Sequence, residues 1–274
     1  MSATPFFIVS SGRSGTAMLH KALSSAGDVE MHHEYMVQIT QPLAVKRYLG
    51  LIDEVECRHI IRETYGAAVH YSHAQQWGDS SNKLSWLIPD LATVFPDAKF
   101  VHLVRDGRKV ASSYFHKLGE ECYDDLSNVV MQAHYDKAQP APPPEKKYWW
   151  PVPRKNDAAA TPFRSFEQFQ RIAWHWAEIN RVAMEELAKL APSRTLFIKL
   201  EELRSAPSQV RALYEFLGLP YADADFAQFA RPHNVNRPED RLLTPAQTSQ
   251  FEAIAGNMME RLGYAGTPEY AVNY

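Results

Sequence analysis

The stretch that decides the fold is Phe6-Phe7-Ile8-Val9-Ser10-Ser11-Gly12-Arg13-Ser14-Gly15-Thr16-Ala17-Met18-Leu19-His20-Lys21-Ala22-Leu23. Phe6 to Val9 reads as a short strand apolar on both faces, and Ala17 to Leu23 as a helix. The loop between them, Ser10 to Thr16, holds two glycines, three serines and a threonine. Free backbone N–H groups at a helix start, with the helix dipole behind them, favour an anion, so the loop is a candidate phosphate site. It is not a Walker A loop. That motif places a lysine directly before its final hydroxyl residue, whereas here Gly15 precedes Thr16 and the cation comes earlier, at Arg13. Taken alone, the same loop also fits a tight turn between two core elements.

Working outward, the strand-loop-helix pattern recurs. Phe100 to Val104 is a second apolar strand, entered through the turn Phe95-Pro96-Asp97. After Arg105-Asp106-Gly107 it is followed by a helical Lys109 to Leu118 with Gly119 as a stop. Arg105 at the strand end and Ser112 and Ser113 on the helix are placed to converge on a second phosphate. The plainer alternative is a set of surface ion pairs among Arg105, Asp106 and Arg108. Thr195 to Leu200 is a third strand candidate, and Pro207 to Leu217 a helix that stops at Gly218. Apolar positions at Phe169, Ile172, Trp176, Ile179, Ala183, Leu187 and Leu190 mark a long amphipathic helix. Thr244 as N-cap, Pro245 at the first helical position, Gln247 completing a capping box and Gly263 closing it mark the last one. Strands alternating with helices predict an α/β fold, a P-loop-like three-layer sandwich with a central parallel sheet flanked by helices. The expectation is a single domain over residues 1–274, interrupted by a proline-rich loop or lid insertion at about 139–165.

Composition narrows the function classes. A chain of 274 residues with 29 Lys plus Arg against 32 Asp plus Glu has a formal charge of −3. That removes the bulk positive field of a general nucleic-acid binder, and no nucleic-acid partner is expected. The longest apolar stretch near the start, Phe6 to Val9, is too short for a membrane span or a signal-peptide core. A cytoplasmic protein without a membrane partner is therefore expected. Cys57 and Cys122 are too few and too far apart for a disulfide framework or a cysteine zinc site. Lys146-Lys147-Tyr148-Trp149-Trp150 and Arg154-Lys155 interleave cations with aromatics. Without a wider basic surface they are read as a cover for an acceptor pocket rather than a base-stacking platform, with Trp174 and Trp176 as possible contributors.

Several segments together resemble the sulfotransferases that use 3'-phosphoadenosine 5'-phosphosulfate (PAPS), in particular bacterial members and the tyrosylprotein branch. Arg13-Ser14-Gly15-Thr16-Ala17 matches that family's phosphosulfate loop, approximately [KR]SGT[ST], and Arg105 followed eight residues later by Ser113 matches its 3'-phosphate motif. NKLSWLIPDLATVFPDAKFVHLVRDGR is similar to the stretch running from the family's catalytic-site lysine, here Lys83, to its RDxR motif. LFIKLEELRSAPSQVRALYEFLGLPY is similar to a common downstream segment. Two positions depart: Ala17 stands where a second hydroxyl residue is usual, and Met18 where the cytosolic branch has a tryptophan.

The resemblance implies an enzyme that transfers the sulfuryl group of PAPS to a hydroxyl or amine acceptor by in-line displacement, releasing PAP, with no metal required. The acceptor would be a small molecule, a carbohydrate or a peptide. Arg13, Ser14, Gly15, Thr16 and Ala17 would hold the 5'-phosphate, and Arg105 and Ser113, with Arg237 from the C-terminal region, the 3'-phosphate. Arg13 and Lys83 would flank the leaving oxygen. Glu34 is the preferred base, because a carboxylate shielded from water titrates nearer neutrality, and His33 is second, because an imidazole titrates there already. His32 is read as structural. Two other readings compete. A P-loop kinase or NTPase would be expected to use magnesium and a Walker lysine, and a non-catalytic nucleotide-binding module would keep the fold without turnover.

Overall fold

The structure, a computed structural model, describes residues 3–136, 145–230 and 242–269. Its contacts divide the chain into two compact units. The first is built from Met1–Ala44, Asp53–Arg105 and Ile179–Asn236, the second from Val45–Ile52, Asp106–Glu178 and Arg237–Tyr274.

The first unit carries a five-stranded, wholly parallel sheet of β1 (Thr4–Val9), β2 (Val29–His33), β3 (Gln76–Ser81), β4 (Lys99–Val104) and β5 (Thr195–Lys199), in the order β2-β3-β1-β4-β5. Its helices include α1 (Thr16–Leu23), the start of α2 (Val37–Leu49), α3 (Glu54–Ile61) and α4 (Ile88–Val94). Those of the second unit include α5 (Gly107–Lys117), α6 (Asp125–Tyr135), the first part of α7 (Gln168–Leu187), and α11 (Pro245–Arg261). Between α7 and α11 come α8 (Leu200–Ser205), α9 (Pro207–Leu217) and α10 (Phe226–Ala230), all of the first unit.

Side chains alternate across β1, as the two-residue repeat of a strand requires. Phe6 and Ile8 join a core with Met18, Leu19 and Leu23 of α1, Leu203 of α8, and Val210, Leu213 and Leu217 of α9. Phe7 turns the other way, its ring 5.7 Å from Tyr65 and 5.6 Å from Phe100. Burial on both faces makes the three-layer sandwich that the alternating pattern predicts. The chain leaves β1 for β2 on one side and leaves β4 for β5 on the other. The carboxyl ends of β1 and β4 therefore flank the point where strand order reverses, the place where open parallel sheets bind ligands. β2 and β3 go beyond the expected elements. β3 reads QWGDSS, which carries no apolar signature, yet five of its six residues are buried.

In the second unit, Trp176 and Phe251 lie with ring centroids 5.7 Å apart. They fill the space beside Gly107, where a Cβ would come within 2.6 Å of either ring. The capping box at the start of α11 is present as expected, with the Gln247 N–H donating to Thr244 Oγ1 and the Thr244 N–H to Gln247 Oε1. Residues 139–144 of the proline-rich insertion lie outside the described residues. Of the aromatics that follow, Tyr148, Trp149 and Trp150 are buried. The Trp150 indole N–H donates to the Glu121 carbonyl at 2.7 Å, and its ring packs with those of Tyr114, Tyr123 and His175. Trp174 and Trp176 are buried as well. Their apolar area accounts for this, because large aromatics contribute most to stability when sealed from water.

Candidate functional site

The loop after β1 is mostly buried and tightly turned. Gly12, Arg13 and Gly15 all adopt left-handed conformations, with φ of 78°, 54° and 96°. The serines hold this shape: the Gly12 N–H donates to Ser10 Oγ at 3.1 Å, and the Ser14 hydroxyl donates to the Gly12 carbonyl at 3.0 Å. The φ of Gly15 favours glycine, and a Cβ there would come within 2.6 Å of Leu200 Cδ1, the movable end of a side chain. Leu19 donates to Gly15 O at 3.0 Å. The N–H groups of Thr16, Ala17 and Met18 precede that first helical bond, and at a helix start such groups are the ones offered to a ligand.

Arg105 at the end of β4 is buried, and its Nη1 donates to the Arg13 carbonyl at 3.0 Å. A cation thus sits against the anion loop at the switch point. Of the ion pairs considered for this motif, Asp106 and Arg108 form one, 2.7 Å apart in the second unit, with Asp106 buried. Ser113 is buried on α5 in that unit, and Arg237 lies outside the described residues.

The base candidates sit where β2 ends. His33 Nδ1 lies 2.9 Å from the Ser80 carbonyl and 3.0 Å from its hydroxyl. A carbonyl only accepts, so Nδ1 carries the proton in that bond, and a neutral His33 keeps its lone pair on Nε2. The Glu34 N–H donates to the Ser80 carbonyl at 3.0 Å, and Glu34 takes a left-handed φ of 57°. Ser80 also donates its hydroxyl to the Thr16 carbonyl at 3.4 Å, so β3 ties the turn to the helix start that follows the anion loop. His32 is held by Glu30 at 2.9 Å and packs on Tyr35 and Trp77, the structural role expected of it. His20, whose ring centroid is 5.9 Å from that of His33, is held below the ordinary imidazole value by burial and then by His33.

Lys83 follows β3 and is almost fully buried, although a lone lysine at such a place is usually solvated. Its Nζ donates to Gln41 Oε1 at 3.2 Å, and Gln41 Nε2 donates to Asn82 Oδ1 at 3.1 Å. Sequence reasoning did not single out Gln41, Tyr65, Asp79 or Ser80. Among the described residues no group of three or more His, Cys, Asp or Glu could hold a metal ion, and no helix is long and apolar enough to cross a membrane. The first unit thus contains a tightly turned loop at a helix start, a buried arginine braced against it, a buried lysine, and an acid and an imidazole on an adjoining turn. That is the equipment for moving an anionic group.

Comparison with known proteins agrees with this equipment. Residues 5–141 match the profile described as "Sulfotransferase family". A comparison with curated protein sequences finds no match. Among solved structures, the chain is similar to a sulfotransferase from Alicyclobacillus acidocaldarius, with 14% identity, a TM-score of 0.54, and 96% of this chain and 95% of that one covered. It is also similar to the sulfotransferase domain of the Synechococcus PCC 7002 olefin synthase, with 14% identity, a TM-score of 0.53, and 98% and 97% covered.

Proposed function

The chain belongs to the sulfotransferase family, whose reaction is sulfuryl transfer, and from that premise we propose that its donor is PAPS and its acceptor a hydroxyl or amine. The observation that carries the proposal is the bond from buried Arg105 to the carbonyl of Arg13, which sets a fixed cation beside a loop whose Gly12, Arg13 and Gly15 take left-handed conformations before a helix start. Such a cradle fits a phosphorylated, anionic donor. When bound, PAPS supplies the activated sulfuryl group, and the chain's residues supply everything else.

In this reading the N–H groups of residues 13–17 and the Thr16 hydroxyl bind the 5'-phosphate. Arg105 and Ser113, with Arg237, bind the 3'-phosphate. Arg13 and Lys83 neutralise charge that builds on the leaving phosphate oxygen, which lowers the barrier most in a site from which water is excluded. Glu34 takes the acceptor proton as the acceptor oxygen or nitrogen attacks sulfur and the sulfur–oxygen bond to phosphate breaks. His33 Nε2 is the alternative, since its Nδ1 is already fixed by Ser80. No residue in this scheme needs a metal. The experiment is transfer of radiolabelled sulfate from PAPS across a panel of phenols, sugars, amines and peptides in the presence of EDTA. Labelled product is expected for at least one acceptor, with turnover reduced about a hundredfold or more by Glu34→Gln. Undiminished turnover in Glu34→Gln together with loss in His33→Gln moves the base to His33, and absence of transfer from PAPS to any acceptor overturns the donor assignment.

A further inference from the structure

We infer that Asp79 is a positioning residue for the His33–Glu34 turn, its carboxylate standing in for the sheet partner that the turn has lost. The inference rests on the reading of that turn as the base-bearing one and adds the device that holds it. β2 pairs with β3 through His33, opposite Ser80. The Glu34 N–H still reaches the Ser80 carbonyl, but with φ of 57° at Glu34 and 45° at Met36 the chain turns out of the ladder. The next amide, Tyr35 N–H, is taken not by a strand carbonyl but by Asp79 Oδ1, at 3.1 Å. The other oxygen, Oδ2, accepts from the Tyr65 hydroxyl at 3.0 Å, and both Asp79 and Tyr65 are fully buried. From the far side, the Thr40 hydroxyl donates to the Tyr35 carbonyl at 2.9 Å. Both backbone groups of the residue after Glu34 are therefore fixed by side chains.

An acid at this depth is costly unless its oxygens are satisfied, and an apolar side chain would fill the space more cheaply. Burial raises the carboxyl above its ordinary value and pushes the Tyr65 hydroxyl up further still. What the acid provides is a fixed left-handed Glu34, a conformation that non-glycine residues keep only where their surroundings enforce it. The anion loop has its own serine bonds, and its tie to the turn runs through the Ser80 hydroxyl and not through Asp79, so the clamp acts first on the turn.

The test compares the full chain with Asp79→Ala, Asp79→Asn and Tyr65→Phe by amide hydrogen exchange, by titration with PAP, and by PAP release from PAPS with p-nitrophenol as acceptor. Asp79→Ala is expected to speed exchange of amides 33–36 at least tenfold while exchange in residues 10–19 and PAP affinity change less than about twofold. It should also lower kcat about a hundredfold at unchanged KM for PAPS, since a displacement of about 1 Å costs that much. Asp79→Asn, which keeps an oxygen for Tyr35, should restore protection and most of kcat, and Tyr65→Phe should fall between the two. If Asp79→Ala does not fold, the Asn and Phe variants make the same comparison. Unchanged exchange at 33–36, equal loosening of residues 10–19, a loosened turn with normal kcat, or an Asn variant as impaired as Ala would each overturn the inference. Normal kcat in both Glu34→Gln and His33→Gln would instead remove the base reading, whatever the exchange shows.

Discussion

At the scale of single residues, the loop after β1 depends on the absence of one side chain and the presence of another. Gly15→Ala forces a Cβ toward Leu200 Cδ1 in a left-handed backbone, and the expected loss is about 1–3 kcal/mol in urea unfolding, accompanied by weaker binding of PAP. An unchanged unfolding midpoint would show that Leu200 gives way and that the backbone tolerates alanine. Arg105→Ala removes a cation and the brace on Arg13 together, so PAP affinity should drop at least tenfold by calorimetry. In the sequence the arginine and the loop stand as two separate candidate phosphate sites. Their direct bond was not legible, because nothing in sequence spacing says that residues 13 and 105 meet.

At the scale of elements, β4 and α7 are joined in the first unit by a bond with a titration attached. His102 Nε2 lies 2.9 Å from Asn180 Oδ1, and burial pushes the imidazole down to about 4. Between that value and the ordinary 6.5 the unfolded chain binds a proton that the folded chain refuses. This contribution is intact above pH 6.5 and is lost as pH falls toward 4, by about 3 kcal/mol in all. Urea unfolding measured from pH 7 to 4 should show the decline, and His102→Gln should flatten it; equal slopes in the two proteins would rule His102 out as its source. Strands β1 and β4 were readable because buried parallel strands are runs of apolar residues, β5 because its edge position still carries an apolar run around buried Ile198, and α9 and α11 because proline, glycine and a capping box mark their ends. β3 was not, because Trp77 is its only large apolar residue and the buried positions after Gly78 are polar, with Asp79 and Ser80 holding the turn and the helix start. A strand whose side chains serve a site looks like a loop in sequence.

At the scale of the whole molecule, the parallel order β2-β3-β1-β4-β5 brings segments nearly a hundred residues apart to one point beyond the sheet. The alternation of strands and helices predicted that architecture, and family membership now accounts for what is assembled there. The aromatics at 148–150, expected over an acceptor, are buried, and Trp150 packs with Tyr114, Tyr123 and His175. The central claim is that the anion loop and Arg105 form a site for a 3'-phosphorylated adenine nucleotide. Calorimetric titration with PAP in EDTA, set against ADP and against ATP with magnesium, tests it most directly. The account predicts tight PAP binding without metal, much weaker ADP binding, and loss of the difference in Arg105→Ala; preference for ATP with magnesium over PAP would contradict it.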